Sequence, residues 1–230
     1  MESLRARSVG WVSQEDHVAA ARTVYDAAAE RYVRLVGTEL SAATEGPIDR
    51  SLLTAFVELV AAGPATNVAD VGCGPGRVAA FLAAHGLDVL GVDVSPAMLV
   101  EARNAHPGIP FEQGRLDQLP VTDGSLAGIV CWYSIIYTPP ERLADAFAEF
   151  VRALSSGGYL LLAFQAGSGE PVHRAGAHGT ALSLTNYRHG LDDVTRRLEK
   201  AGLHVHALAR REPELDHEST PQAIVIARCR

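Results

Sequence analysis

The sequence predicts an α/β protein: a doubly wound, largely parallel sheet of seven strands preceded by an N-terminal helical cap. Three observations predict it. From Asn67 onward, short apolar runs alternate with helical segments in strict β-α-β order. The first run leads into the glycine-rich turn Gly72-Cys73-Gly74-Pro75-Gly76, where glycine lets the backbone bend sharply and approach a ligand closely. The second run ends in a carboxylate, Asp93, at the sheet edge where doubly wound folds bind their ligands.

Each element follows from local signals. Ser13-x-x-Asp16 is a capping pattern, and Val18, Ala21, Tyr25, Ala28, Tyr32 and Leu35 follow at helical spacing, which predicts a helix to about Leu40. A second helix over 49–62 turns Leu52, Leu53, Phe56, Leu59 and Val60 inward and is stopped by Gly63-Pro64. Strands are expected at 67–71, 89–93, 110–113, 128–133 and 159–165. The helices between them are 76–85, closed by Gly86; 96–104, with Ser95 as N-cap and proline at its first position; and 140–154, before Gly157-Gly158. The stretch 165–190 is rich in glycine and histidine and too long for an ordinary connection, so it reads as a mobile active-site lid. A helix over 191–201, closed by Gly202, and strands at 203–210 and 222–228 complete the chain. No internal repeat interrupts this order. The chain therefore reads as one domain, with cap 1–63, core 64–165, lid 166–190 and a C-terminal helix and strand pair 191–230.

Composition narrows the function. The 230 residues are 47% hydrophobic and 20% charged, which suits a folded domain and excludes bulk disorder. A formal charge of −7 without a basic run argues against a nucleic-acid substrate. Cys73, Cys131 and Cys229 lie far apart, supporting neither a zinc knuckle nor a disulfide framework and fitting a reducing, cytoplasmic compartment. The N-terminus has no signal-peptide pattern and no stretch approaches the roughly 18 apolar residues of a membrane span, so neither export nor membrane insertion is expected.

The glycine turn has the spacing of a nucleotide-type ligand loop, and the helix start behind it offers free N–H groups. The dinucleotide fingerprint would need a further glycine at position 77, which is Arg77. No GK[ST] closes the loop, so a triphosphate-binding loop is also excluded. Asp93, 17 positions after Gly76, is placed to accept both hydrogens of a ribose diol. Its alternative role is to cap the helix beginning at Ser95-Pro96.

Four stretches together resemble the class I S-adenosylmethionine-dependent methyltransferases of the small-molecule, type 11 kind. They are Asp70-x-Gly72-x-Gly74-x-Gly76, Val92-Asp93-x-Ser95-x-x-Met98, Leu119-Pro120 and Arg152-x-Leu154-x-x-Gly157-Gly158. The resemblance implies that the last two strands pair antiparallel and that the cofactor is S-adenosylmethionine. It also implies residue roles. Gly72, Cys73 and Gly74, in the loop that Gly76 closes, line the methionine part. Asp70 sits beneath the loop, Asp93 holds the ribose, and Val94 and Met98 pack on the adenine, although Met98 would equally serve as core filler. The segment Tyr25-Asp26-x-x-Ala29-x-x-Tyr32 resembles the stretch with which many such enzymes cover the cofactor, so that one hydroxyl, of Tyr25 or Tyr32, would reach the methionine carboxylate; the alternative is that both rings simply dock the helix.

One departure affects the adenine. Where the family has an acidic or amide residue after the third strand, this chain has Arg115, which offers no acceptor. Arg115 is therefore expected to point away from the adenine amino group, with Asp117 as acceptor and the Leu116 N–H as donor to the ring. Aromatic residues at the end of the fourth strand, Trp132, Tyr133 and Tyr137, are suited to meet a sulfonium. Cys131 reads as a small buried residue lining the pocket. No metal is expected, because His173, His178 and His189 are too loosely spaced for a ligand set. His173 and His178 are instead the candidates for a general base, with solvated loop histidine as the alternative. The expected reaction is methyl transfer to an O, N or C atom of a small molecule. A non-catalytic S-adenosylmethionine-binding module and a nicotinamide oxidoreductase on the same sheet remain as alternatives.

Overall fold

The computed structural model describes residues 14–230; Ser13, the expected cap of the first helix, lies outside them. Helix α1 (Gln14–Val36) ends four residues earlier than Leu40, because Gly37 takes a left-handed φ of 75° and its N–H returns to the Val33 carbonyl. Helix α2 (Pro47–Ala61) follows. The alternating core then comprises β1 (Asn67–Val71), α3 (Arg77–Ala84), β2 (Asp88–Asp93), α4 (Pro96–Ala105), β3 (Phe111–Gln113), β4 (Leu126–Trp132), α5 (Leu143–Ala153) and β5 (Leu154–Gln165). Residues Pro140–Arg142, expected as the first turn of α5, form a separate 3₁₀ turn.

The main sheet has seven strands in the order β3-β2-β1-β4-β5-β9-β8, counting β8 (Leu203–Arg211) and β9 (Gln222–Cys229). Strands β3, β2, β1, β4 and β5 pair parallel, and β9 runs antiparallel to both β5 and β8. Alternation along β5 divides the core between two faces. Leu160, Leu162 and Phe164 pack with Phe147 and Phe150 of α5 and with Val194 and Leu198 of α6 (Leu191–Ala201), whereas Leu161 and Ala163 pack on the side of Phe56 in α2 and Leu82 in α3.

The expected lid departs most from the reading. Residues 166–190 contain a second, two-stranded antiparallel sheet, β6 (Glu170–Arg174) with β7 (Leu184–Arg188), rather than a structureless loop. Ala177 and Leu184 of this insertion pack on Ala21 and Val24 of α1. A roof assembled from two distant parts of the chain thus covers the carboxyl ends of β1, β2 and β4. The strand order reverses at β1, which opens the crevice where ligands bind in such sheets.

Candidate active site

Three glycines form the site floor. Gly72, Gly74 and Gly76 all have left-handed φ, of 76°, 53° and 85°. A Cβ on Gly72 would collide with the Ser134 side chain, whereas one on Gly74 would meet nothing within 4 Å. The loop therefore leaves room above Gly74. Gly72 and Cys73 both donate their N–H to the Val92 carbonyl, at 2.7 and 3.0 Å. Asp93 then ties the crevice together, its Oδ2 accepting from the Gly74 N–H and its Oδ1 from the Ser95 N–H, each at 2.8 Å. Burial raises the Asp93 pKa, and those two N–H groups oppose the rise.

Asp70 lies beneath the loop, 1% exposed, with Oδ2 accepting from the Ala79 N–H of α3 at 3.0 Å. Burial pushes its pKa up to about 7 against that hydrogen bond.

A cavity of about 520 Å³ stands over this floor, within the roughly 300–1,000 Å³ range of small-molecule sites. Val94 and Met98 form one wall and Leu116 and Asp117 another. Arg115 folds onto Asp117, its Nε and Nη2 donating to the two carboxylate oxygens at 2.9 Å each. At the helical cap, the Tyr25 and Tyr137 hydroxyls share a 2.5 Å hydrogen bond, and the Tyr32 ring meets Tyr25 edge to face. Asp26 fixes the cap to α4, its Oδ1 accepting from the Ser95 hydroxyl at 2.6 Å and the Ala97 N–H at 3.1 Å. Arg77 pairs with the buried Glu45 at 2.8 Å, holding the α1–α2 connection over the start of α3.

His178 enters from the insertion at a left-handed φ of 50°, a conformation costly for a residue with a Cβ. Its ring lies 4.9 Å from Tyr25 and 5.2 Å from Tyr32. Desolvation, with Arg174 nearby, lowers its pKa and favours neutral imidazole. Trp132 and Tyr133 also line the cavity.

Several expected site residues stand elsewhere. His173 is exposed on β6, its Nδ1 on the Thr185 hydroxyl at 2.8 Å, and does not reach the cavity. Cys131 lies in the core behind the wall, its sulfur 2.9 Å from the Ser134 hydroxyl, and Ser134 lines the cavity in its place. The Cys73 side chain is likewise turned into the core beside Gly91. Gly76 is required by packing, since a Cβ there would press on His106 and Phe111 at 3.0 Å. His189 is a buried structural residue bonded to the Ile135 carbonyl, not a solvated one.

Sequence reasoning missed Arg77, Glu45, Ser134, Gln165 and Gln222, all of which line the cavity, as does Tyr137 of the expected aromatic group. For Gln165 a signal existed, because it ends a strand at the binding edge. For Arg77 and Glu45 there was none, their pairing being purely tertiary. Among the described residues no group of three or more His, Cys, Asp and Glu is placed to hold a metal ion.

Sheet order, glycine turn and the carboxylate ending β2 are the combination that the resemblance to class I S-adenosylmethionine-dependent methyltransferases implies. Residues 68–158 match the family model described as a methyltransferase domain. The chain is 32% identical over 118 residues to malonyl-[acyl-carrier protein] O-methyltransferase of Erwinia billingiae, a match covering 51% of this chain and 45% of that one. It thus spans about half the length of the curated relatives it matches. Among solved structures it resembles magnesium protoporphyrin IX methyltransferase of Synechocystis with bound S-adenosylmethionine (TM-score 0.68, 19% identity, covering 94% and 98% of the two chains). The [4+2]-cyclase SpnF has the same fold (TM-score 0.71, 15% identity, covering 92% and 96%). Open space over Gly74 and a buried carboxylate beside it suit a ribose-bearing cofactor of this class.

Proposed function

We propose that the protein transfers a methyl group from S-adenosylmethionine to an O, N or C atom of a small-molecule acceptor. The observation that carries this reading is Asp93, a carboxylate held by the Gly74 and Ser95 amides at the edge of a 520 Å³ cavity. When bound, the cofactor supplies a methyl group on positively charged sulfur. Asp93 holds its ribose diol. Val94 and Met98 pack on the adenine, Asp117 accepts from the adenine amino group with Arg115 orienting it, and the Leu116 N–H donates to the ring. Gly72 and Gly74 admit the methionine part, Asp70 acts from beneath the loop, and Tyr25 reaches toward the methionine carboxylate. The Trp132 and Tyr133 rings favour a nearby cation.

His178 is the general base for an acceptor that must lose a proton, since desolvation keeps its imidazole neutral and so open to accept one. The roof of α1 and the β6–β7 insertion excludes water, and positioning supplies most of the rate. Among relatives the named acceptors differ, a malonyl group on a carrier protein in one and demethylmenaquinone in another. Among the described residues no helix is long and apolar enough to cross a membrane, and three unpaired cysteines suit action in a reducing cytoplasm.

Calorimetric titration with S-adenosylhomocysteine tests the reading. Asp93→Ala should weaken binding by about 1.5–3 kcal/mol, the scale of hydrogen bonds to a charged group. Absence of binding to the wild-type protein would overturn the proposal, and unchanged affinity in the variant would remove the ribose role.

A further inference from the structure

Beyond the glycine turn the cavity floor continues to Gln165, the last residue of β5, and Gln222, the first of β9. The two are direct partners in the antiparallel register, and both line the cavity. Side chains at such a pair leave the sheet on the same face, their Cβ atoms about 4.5–5.5 Å apart.

Neither amide is free to turn over. Arg174 of β6 donates its Nε–H to Asn186 Oδ1 of β7 at 3.0 Å. A guanidinium only donates, so Asn186 must face it with oxygen. The Asn186 side chain is buried, 3% exposed, and its nitrogen is then the atom left for its next partner. It donates to Gln165 Oε1 at 2.9 Å. Gln165 must answer with its oxygen, so its Nε2 is left with no partner among the described residues. Gln222 is fixed in the opposite sense. Its Nε2 donates to the Thr220 carbonyl at 2.6 Å, which can only accept, and its Oε1 is left without a partner among the described residues in a side chain 2% exposed.

The cavity therefore carries, on adjacent strands, an N–H donor and a carbonyl acceptor whose orientations are set by the chemistry of their anchors. We propose that Gln165 and Gln222 form the recognition edge for the methyl acceptor and take a neutral group with an oxygen acceptor beside an N–H donor, as in a carboxamide or lactam. This rests on the methyltransferase reading and names the substrate class of the same site. A carboxylate fits poorly at this edge, because it would set an oxygen against the Gln222 carbonyl oxygen, which can only accept. An ammonium would leave the Gln165 donor unpaired in a largely buried site. Asn186 is a positioning residue, acting through Gln165.

The test uses two probes of one shape, benzamide and benzoate, titrated by ligand-observed NMR into protein saturated with S-adenosylhomocysteine. Benzamide should bind at least tenfold more tightly than benzoate. Gln165→Leu and Gln222→Leu should each weaken benzamide about tenfold while the affinity for S-adenosylhomocysteine stays unchanged. Asn186→Asp keeps its bond to Arg174 but no longer donates to Gln165, so it should collapse the benzamide-to-benzoate ratio; a merely structural asparagine would lower the melting temperature and leave the ratio intact. Should Gln222→Leu not fold, Gln165→Leu, at a half-buried position, carries the test. No benzamide binding, a ratio of one or below, or a ratio unchanged in Gln165→Leu would overturn the proposal. Failure of S-adenosylhomocysteine to bind the wild-type protein is a separate result, which overturns the methyltransferase reading as well.

Discussion

Asp70 allows a quantitative prediction, because its carboxyl is buried beneath the glycine turn with its pKa pushed up from 3.8 to about 7. Burial is the main cause; the Ala79 N–H and Arg77 work against it, and the neighbouring Asp93 works with it. In the folded protein the group keeps its proton over a range where the unfolded chain has released it. Stability must therefore fall as pH rises from about 4 to about 7, and level off above that, with the full deficit present in neutral solution. The gap of about three pH units corresponds to roughly 4 kcal/mol. Asp70→Asn removes the titration while keeping an oxygen that can accept from Ala79. Urea unfolding of both proteins at intervals from pH 4 to 8 isolates the effect, because carboxyls remote from Asp70 cancel in the difference. The two should be of similar stability near pH 4 and diverge progressively in favour of the variant. Parallel curves across that window would refute the argument that burial, outweighing the Ala79 N–H and Arg77, governs this carboxyl.

Two further predictions concern the chemistry and the adenine. His178→Ala should lower turnover of the true acceptor by roughly 10²–10⁴-fold with cofactor affinity intact, while His173→Ala stays near wild type; near wild-type rates in both would leave positioning as the source of rate. Asp117→Ala should weaken S-adenosylhomocysteine binding about tenfold, and Arg115→Ala should weaken it less, because that guanidinium orients the carboxylate through its paired hydrogen bonds. Calorimetry separates the two, and a loss confined to Arg115→Ala would remove Asp117 from adenine recognition.

The alternating core was legible in the sequence to within a few residues. Strand β1 and helix α6 have the expected bounds, Asn67–Val71 and Leu191–Ala201, because apolar runs, caps and terminating glycines act over a few neighbouring positions. The β6–β7 hairpin was not legible. Glu170-Pro171-Val172-His173-Arg174 has no alternating apolar pattern, and its pairing with β7 is supported by packing of Ala177 and Leu184 on a helix more than 140 residues earlier in the chain. The two histidines of the expected lid separate for the same reason. His173 faces outward on a strand, whereas a left-handed turn brings His178 against Tyr25 and Tyr32.

By itself the sequence determined the doubly wound sheet, its reversal beside the glycine turn, and the carboxylate next to that turn, since each rests on backbone freedom and short-range periodicity. Only the tertiary structure decided what surrounds the open half of the cavity. The Tyr25–Tyr137 contact, the Arg77–Glu45 pair and the run from Arg174 through Asn186 to Gln165 join residues that no spacing rule relates. Orienting a buried amide takes a partner of fixed donor or acceptor character on its other side, and folding alone brings Arg174 to Asn186 and Asn186 to Gln165.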